Sequence, residues 1–308
     1  MYRTNKPYTP KILEIIKTTW ETKLWCVVSD GVYPTIQLTD TWLQMDHTDG
    51  IGTKGYYHWH GKTYGKAAID AFAMNANDLA MYGATPFKLQ NHIFLPEDND
   101  DAIYEIVESL ANLSKKYGIV MTGGETSIHN NMNGMDISVT MSGICNHQKT
   151  HQYKIGDTII GIPSAGLHSN GFTLVYKKIG GDRPEYKVPT RIYINELSKV
   201  YDKVNAVNHI TGGAYTKLKP TICKDANVVL KFTKKPSQIF IDLYDSGIDS
   251  KQMYSTFNCG YGMILSVPEE NVEDVLKVIE DGDIIGKVEK GEGNVVVFSK
   301  FDNWVIGY

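Results

Sequence analysis

At 308 residues, 42% apolar and 21% charged, the chain is long and apolar enough for two globular domains, which excludes an intrinsically disordered protein. Its formal charge of −4 offers no general attraction to nucleic-acid phosphates. The opening MYRTNKPYTP lacks an apolar signal core and no apolar run approaches the ~20 residues of a membrane span, so the expectation is a cytoplasmic protein with neither nucleic-acid nor membrane partner.

In chain order, Ile12, Leu13, Ile15 and Ile16 predict a short helix over 11–19. Strands follow at 24–28 and 41–46, the second ending on the loop TDGIGTK at 48–54. A small-residue helix over 66–82 stops at Gly83 and Pro86. A strand at 87–94 leads to a helix over 100–117, with an Asp cluster at its positive end and Gly118 at its close. Strands at 119–122 and 135–144 flank Gly123-Gly124. The charged, turn-rich stretch 146–156 predicts a boundary, giving an α/β protein of two similar domains, 1–150 and 151–308. Beyond it come a strand at 157–162, helices over 172–179 and 193–203, and a strand at 227–232. A strand at 262–267, a helix over 269–280 and strands at 283–289 and 294–299 complete the chain. The four cysteines, Cys26, Cys145, Cys223 and Cys259, are too widely spaced for a zinc knuckle and read as reduced thiols.

Three acids fall at element ends. Asp49 lies in a turn with Gly50, Gly52 and Thr53, and Lys54 follows five residues on; such a turn lets backbone approach a ligand while a carboxylate and an ammonium project from it. Asp78, beside Asn77, is on the next helix, and Glu125 follows Gly123-Gly124. Taken singly, an Asp-Gly turn is only a turn. Together Asp49, Asp78 and Glu125 could hold Mg²⁺, which takes a few carboxylates with phosphate oxygens and water.

The second domain opens with SAGLHSNG at 164–171, between a strand and a helix. Its glycines and small residues suit an anion cradle made of amides and the Ser164 and Ser169 hydroxyls, with Asn170 beside them. His168 inside this loop is a candidate acid, base or charge stabiliser, although a lone loop histidine is more often surface. HITGG at 209–213 adds His209, Thr211 and Gly212 in a second glycine-rich turn. Other features read as bland. His58-Trp59-His60 reads as an exposed strand or hairpin, His147 and His151 as exposed linker residues, and Lys234-Lys235 as a solvated charge pair. Asp98-Asn99-Asp100-Asp101 reads as a helix start rather than a calcium loop.

In order along the chain, TDGIGTK (48–54), NANDLAMYGATP (75–86), GGET (123–126), GIPSAGLHSNGF (161–172), PTRIY (189–193), HITGG (209–213) and MYSTFNCGYGM (253–263) resemble the aminoimidazole ribonucleotide synthetases, or phosphoribosylformylglycinamidine cyclo-ligases. The resemblance implies an N-terminal ATP-binding α/β domain whose sheet pairs with that of a second subunit in a homodimer, and a C-terminal substrate-binding α/β domain. It implies conversion of formylglycinamidine ribonucleotide and ATP to aminoimidazole ribonucleotide, ADP and phosphate. On that resemblance Asp49, Asp78 and Glu125 go to Mg²⁺ and ATP, with Gly50, Gly52, Thr53, Asn77, Gly123 and Gly124 around the nucleotide. Lys54 goes to phosphate. Ser164, His168, Ser169 and Asn170 go to substrate phosphate or transition-state charge, with His209, Thr211 and Gly212 on the substrate side.

The chain departs from the pattern in lacking a glycine-rich stretch within 24–47, and in carrying Ile128, Ala214 and Ser255 where an acid, a glycine and an arginine are usual. Two rival readings fit the same residues: another ATP-using enzyme of the same superfamily, kinase-like or selenophosphate synthetase-like, and a non-catalytic nucleotide-binding homologue. The retained acids favour an enzyme.

Overall fold

The computed structural model describes residues 26–29, 35–37, 42–146, 149–302 and 304–308. The predicted helix over 11–19 and His147 lie outside them, and the strand predicted at 24–28 is described only from Cys26.

The first half builds one sheet from β1 (Cys26–Ser29), β2 (Thr35–Gln37), β3 (Leu43–Gly50), β4 (Thr85–Leu95), β5 (Val120–Ile128) and β6 (Asp136–Cys145). Their order is β1-β2-β3-β6-β4-β5, antiparallel except for the parallel pair β4–β5. Among the described residues, three helices accompany it: α1 (Lys54–His60), α2 (Tyr64–Met81) and α3 (Asp100–Tyr117). The predicted boundaries of α3 coincide with those observed. Asn99 caps it by accepting the Ala102 amide at 2.9 Å, and Gly118 ends it in the left-handed region at φ 69°.

The second half forms a sheet of order β13-β12-β9-β11-β7-β10-β8. Its strands are β7 (Thr158–Pro163), β8 (Ala206–His209), β9 (Ala226–Lys231), β10 (Tyr261–Val267), β11 (Asp283–Lys290), β12 (Val295–Phe298) and β13 (Val305–Gly307). Helices α4 (Phe172–Lys178), α5 (Ile194–Val200), α6 (Gln238–Asp245), α7 (Ser250–Thr256) and α8 (Val272–Val278) surround it. Every residue of β10 is buried, as a central strand covered on both faces requires.

Helix α2 joins the halves. Its Ala67, Ala68, Ala71 and Ala76 are buried against Met45, Ile137, Val139 and Met141 of the first sheet, while Ala80 and Met81 pack with Ile160, Leu197 and Met263 of the second half. A helix covered all round needs small side chains, because only these let both neighbours approach its backbone. Tyr57 of α1 adds a second tie, its ring centroid 5.7 Å from that of Phe172 and 4.8 Å from that of Tyr186.

Several expectations are corrected. Residues 58–60 belong to helix α1 rather than to a strand or hairpin, and His58 is buried. Strand β6, expected at 135–144, is a central strand flanked by β3 and β4 with its ladder filled on both sides. His151 is half-buried, its ring 4.9 Å from that of Tyr82 and 5.9 Å from that of Tyr201. Gly123, Gly124 and Glu125 lie within β5 rather than after it.

Candidate active site in the interdomain cleft

The cleft is built on α2. Asp70, Asn75, Asn77 and Asp78 are buried polar residues on this otherwise small-residue helix, and a buried carboxylate survives only with partners. Asp70 and Asp78 are eight residues apart, about 12 Å along the axis, and organise two centres.

At the first, Asp70 Oδ1 accepts from Lys54 Nζ at 2.8 Å, Ser169 Oγ at 3.0 Å, and the Thr190 amide and hydroxyl at 2.7 and 2.6 Å. Its Oδ2 accepts from His58 Nε2 at 2.9 Å. Burial opposes the Asp70 charge, but Lys54 and His58 overcome it and hold the carboxyl below the usual range. Lys54 is fully buried and also donates to the Val188 carbonyl at 2.6 Å; burial lowers its pKa despite Asp70. Burial likewise lowers the His58 pKa.

At the second centre, Asp78 Oδ1 accepts from His209 Nδ1 at 2.6 Å, and its Oδ2 is 3.2 Å from His47 Nε2. His47 Nδ1 donates to Asn75 Oδ1 at 2.9 Å, so both ring nitrogens face acceptors, the pattern of an imidazolium. Burial works against that charge, yet Asp78 and Asp49 raise the His47 pKa. Asp49, at the end of β3, is raised by burial and by Asp78, with the Gly50 amide, His47 and Lys217 acting the other way. Lys217 also donates to Thr211 Oγ1.

Between the centres lies His168. It occupies the left-handed region at φ 58°, uncommon for a residue with a side chain, and its ring centroid is 6.5 Å from that of His209 and 6.3 Å from that of Tyr193. Its Nε2 accepts the Ala165 amide at 3.1 Å and the Arg191 amide at 3.5 Å. Burial, His209 and Lys54 push its pKa well down, so the ring is neutral and its proton sits on Nδ1. That Nδ1–H, and the nearby Asn170 Nδ2, are buried donors with no protein acceptor.

The loop is pinned elsewhere. Ser164 Oγ donates to Asn258 Oδ1 at 2.9 Å, and Asn258 Nδ2 donates to the Gly166 carbonyl at 2.8 Å. Gly262 must be glycine because an added Cβ would lie 2.1 Å from Tyr193 Oη and 2.5 Å from His168 Cε1. The PTRIY segment docks on α2 through Thr190 and through Asn77, whose Nδ2 donates to the Arg191 carbonyl and whose Oδ1 accepts the Tyr193 amide, both at 2.8 Å.

This geometry revises the sequence reading. Asn77 is spent on the 191–193 backbone, and Ser164 and Ser169 on Asn258 and Asp70, so none offers its group to a ligand in this arrangement. Lys54 is enclosed rather than phosphate-facing. The Ile51 and Gly52 amides go to Asp136 Oδ1 at 3.2 and 3.1 Å, and Thr53 pairs with Thr173 at 2.9 Å. Gly212 lies half-buried in the turn beside Thr211 and contributes no side chain.

Glu125 does not join Asp49 and Asp78. The register runs Asp49, Val139, Asn91, Gly124 across four strands, about 14 Å at ordinary strand spacing. Val139 and Asn91 face the helices, whereas Glu125 pairs with His92 in the next row and therefore faces the opposite side. No group of three His, Cys, Asp or Glu fit for a metal occurs among the described residues. His47, Asp70, Asp136 and Lys217 are site residues outside the quoted motifs, and Asn258 lies within MYSTFNCGYGM without a role having been assigned to it. Only Asp70 carried a signal, an acid in an alanine-rich helical stretch.

Two sheets meeting over a polar buried helix define the fold class. The structure of AaThiL complexed with AMPPCP and TMP superposes with a TM-score of 0.65 over 99% of this chain and 96% of that one, at 18% identity. Family profiles for "AIR synthase related protein, N-terminal domain" and "AIR synthase related protein, C-terminal domain" match residues 31–145 and 154–299. The phosphoribosylformylglycinamidine cyclo-ligase of Saccharolobus solfataricus is 32% identical over 93% of this chain and 90% of its own length. That of Sulfurisphaera tokodaii is 34% identical over 84% and 83%. The chain belongs to the phosphoribosylformylglycinamidine cyclo-ligase family.

Proposed function

We propose that the chain catalyses ATP-dependent closure of formylglycinamidine ribonucleotide to aminoimidazole ribonucleotide, with ATP used by residues 1–150 and ribonucleotide held by 151–308. The observation that carries this is His168, a neutral buried imidazole whose remaining Nδ1–H has no acceptor in the protein. A site of this kind awaits an oxygen that gathers negative charge.

The substrate's amide oxygen takes the γ-phosphoryl group and ADP leaves. The amidine nitrogen then bonds to the activated carbon, the C–O bond breaks, phosphate departs and the nitrogen loses a proton. His168 Nδ1–H and Asn170 Nδ2 donate to the charged oxygens and hold the chain folded for attack. His168 remains neutral throughout, as a hydrogen-bond donor rather than a proton donor. His209 is fixed by Asp78 beside it.

Asp49 and Asp78 are the carboxylates a hard cation would use, and because both already favour the charged His47 ring, a bound cation would compete with that proton. They would hold Mg²⁺, which neutralises phosphate charge when bound. Lys217 replaces Lys54 as the lysine offered to phosphate, being exposed and adjacent to Thr211. Glu125 lies on the face of the first sheet that the described helices leave uncovered, where a second subunit packs in the active homodimer. The enzyme works in the cytoplasm; no described helix is long and apolar enough to cross a membrane.

The test is product formation from formylglycinamidine ribonucleotide with Mg²⁺ and ATP, followed through the diazotisable amine. Folded protein that binds ATP yet forms no product would refute the reading.

A further inference from the structure

Behind the Ser164–Gly166 loop lies a second cavity of about 220 Å³, lined by Ser164, Ala165 and Gly166 on one wall, Cys259, Gly260 and Tyr261 on another, and Lys234, Lys235 and Ser237 at its mouth. It brings the solvated lysine pair, some 70 residues distant in sequence, against the loop read as an anion cradle.

One residue builds both walls. Asn258, buried, donates through Nδ2 to the Gly166 carbonyl at 2.8 Å, and through Oδ1 accepts Ser164 Oγ and the Gly260 amide, each at 2.9 Å. The cavity is therefore held in shape by the protein itself. Gly166 and Gly260 adopt φ 145° and 111°, and a Cβ on either would meet nothing within 4 Å, so the wall is bare backbone that an anion can approach. Ser237 lines the cavity at the N-cap of α6, and its side chain makes no cap hydrogen bond to that helix.

The charges settle the sign. Lys234 is paired with Asp283 at 2.6 Å, and that carboxylate also accepts Tyr261 Oη at 3.1 Å. Asp281, the next acid, is bound by Arg191. Lys235 has no ion-pair partner among the described residues, so the mouth carries one uncompensated positive charge. A carboxylate would use the lysine but leave most of the surrounding donors idle. A phosphate monoester, with three oxygens, uses the lysine, the serine and the loop together.

We infer that this cavity binds the 5′-phosphate of the ribonucleotide, with Lys235 and Ser237 as its side-chain ligands and Asn258 as the residue positioning its walls. The inference rests on the ribonucleotide reading and deepens it. It moves the phosphate to the outer side of the 164–171 loop, leaving His168 and Asn170 on the inner side for the reacting end.

The experiment has two arms. In the first, inorganic phosphate is titrated by calorimetry into the wild-type chain, Lys235→Gln, Lys235→Arg and Ser237→Ala. Lys235→Gln is expected to weaken binding by about 5- to 20-fold, the span of one charge-assisted hydrogen bond discounted for exposure, and Lys235→Arg to restore most of it. Equal affinity in Lys235→Gln and wild type overturns the site, whatever the enzyme catalyses. In the second arm, turnover by Lys235→Gln is expected to show KM for the ribonucleotide raised by a similar factor and KM for ATP unchanged. A rise confined to ATP would assign the cavity to nucleotide phosphate and overturn the inference. Wild-type protein that binds phosphate at Lys235 but forms no product sinks the cyclo-ligase reading alone.

Discussion

Replacing Asp70 with Asn tests the electrostatic account of the domain junction. The variant keeps the shape of the side chain and Oδ1 as an acceptor for Thr190 and Lys54, but removes the negative charge that neutralises the fully buried Lys54 ammonium, whose other acceptor is the Val188 carbonyl. Breaking a buried pair in this way costs about 3–5 kcal/mol. An independent ceiling comes from titration: the folded variant can escape by releasing the Lys54 proton. From a normal pKa near 10.4, that release costs about 4–5 kcal/mol at pH 7 and about 2 kcal/mol at pH 9. The sign follows. The Lys54 pKa in the folded variant lies below its unfolded value, so folded-state stability rises with pH between the two. Urea unfolding at both pH values, each referred to wild type, should give a deficit near 4 kcal/mol at pH 7 that roughly halves at pH 9. A deficit below 1 kcal/mol, or one that does not change with pH, would refute the claim that Lys54 depends on Asp70 for its charge.

Four further outcomes are expected. Asp49→Asn should raise the Mg²⁺ concentration for half-maximal activity more than tenfold, while Glu125→Gln should shift it by less than about threefold, the weight of a residue outside the shell; equal shifts would restore Glu125 as a ligand. His168→Ala should lower kcat and kcat/KM together by about 10²–10³, the effect of removing one donor from a developing oxyanion, and the wild-type kcat profile should show no inflection near pH 6.5 from this ring. His151, with its pKa pushed down to about 4 by burial and Lys149, gives stability that is present above pH 6.5 and lost as pH falls towards 4. It contributes at most about 3 kcal/mol, less for a ring partly open to water, so His151→Gln should show a shallower acid loss in urea midpoints. Sedimentation should find a dimer at micromolar concentration, and a 34.5 kDa species alone would remove the second subunit from the account.

What the sequence showed and hid divides along physical lines. Helix α3 was legible because its start and stop are local chemistry, Asn99 on the Ala102 amide and Gly118 in the left-handed region. Helices α6 and α7 were not, since runs of eight and seven residues give too few turns for periodicity to register against irregular structure. Charge misled at Lys54, because a lysine is read as exposed unless something names its partner, and Asp70 is sixteen residues on and one helix away. Parity misled at Glu125. The sequence reading put the three acids together at element ends, but Glu125 lies inside β5 and the register irregularity between Leu89 and Asn91 sets which face each β5 residue takes, which no alternation pattern reveals. The motifs located the cleft; the hydrogen bonds redistributed its work. PTRIY carried no assigned chemistry and proves to be the latch on α2, while Ser164, Ser169 and Asn77, given to ligands, hold the latch and loop in place. The donors left over after that accounting, on His168 and Asn170, are the ones available to a substrate, which is why spent partners narrow the site more sharply than motifs do.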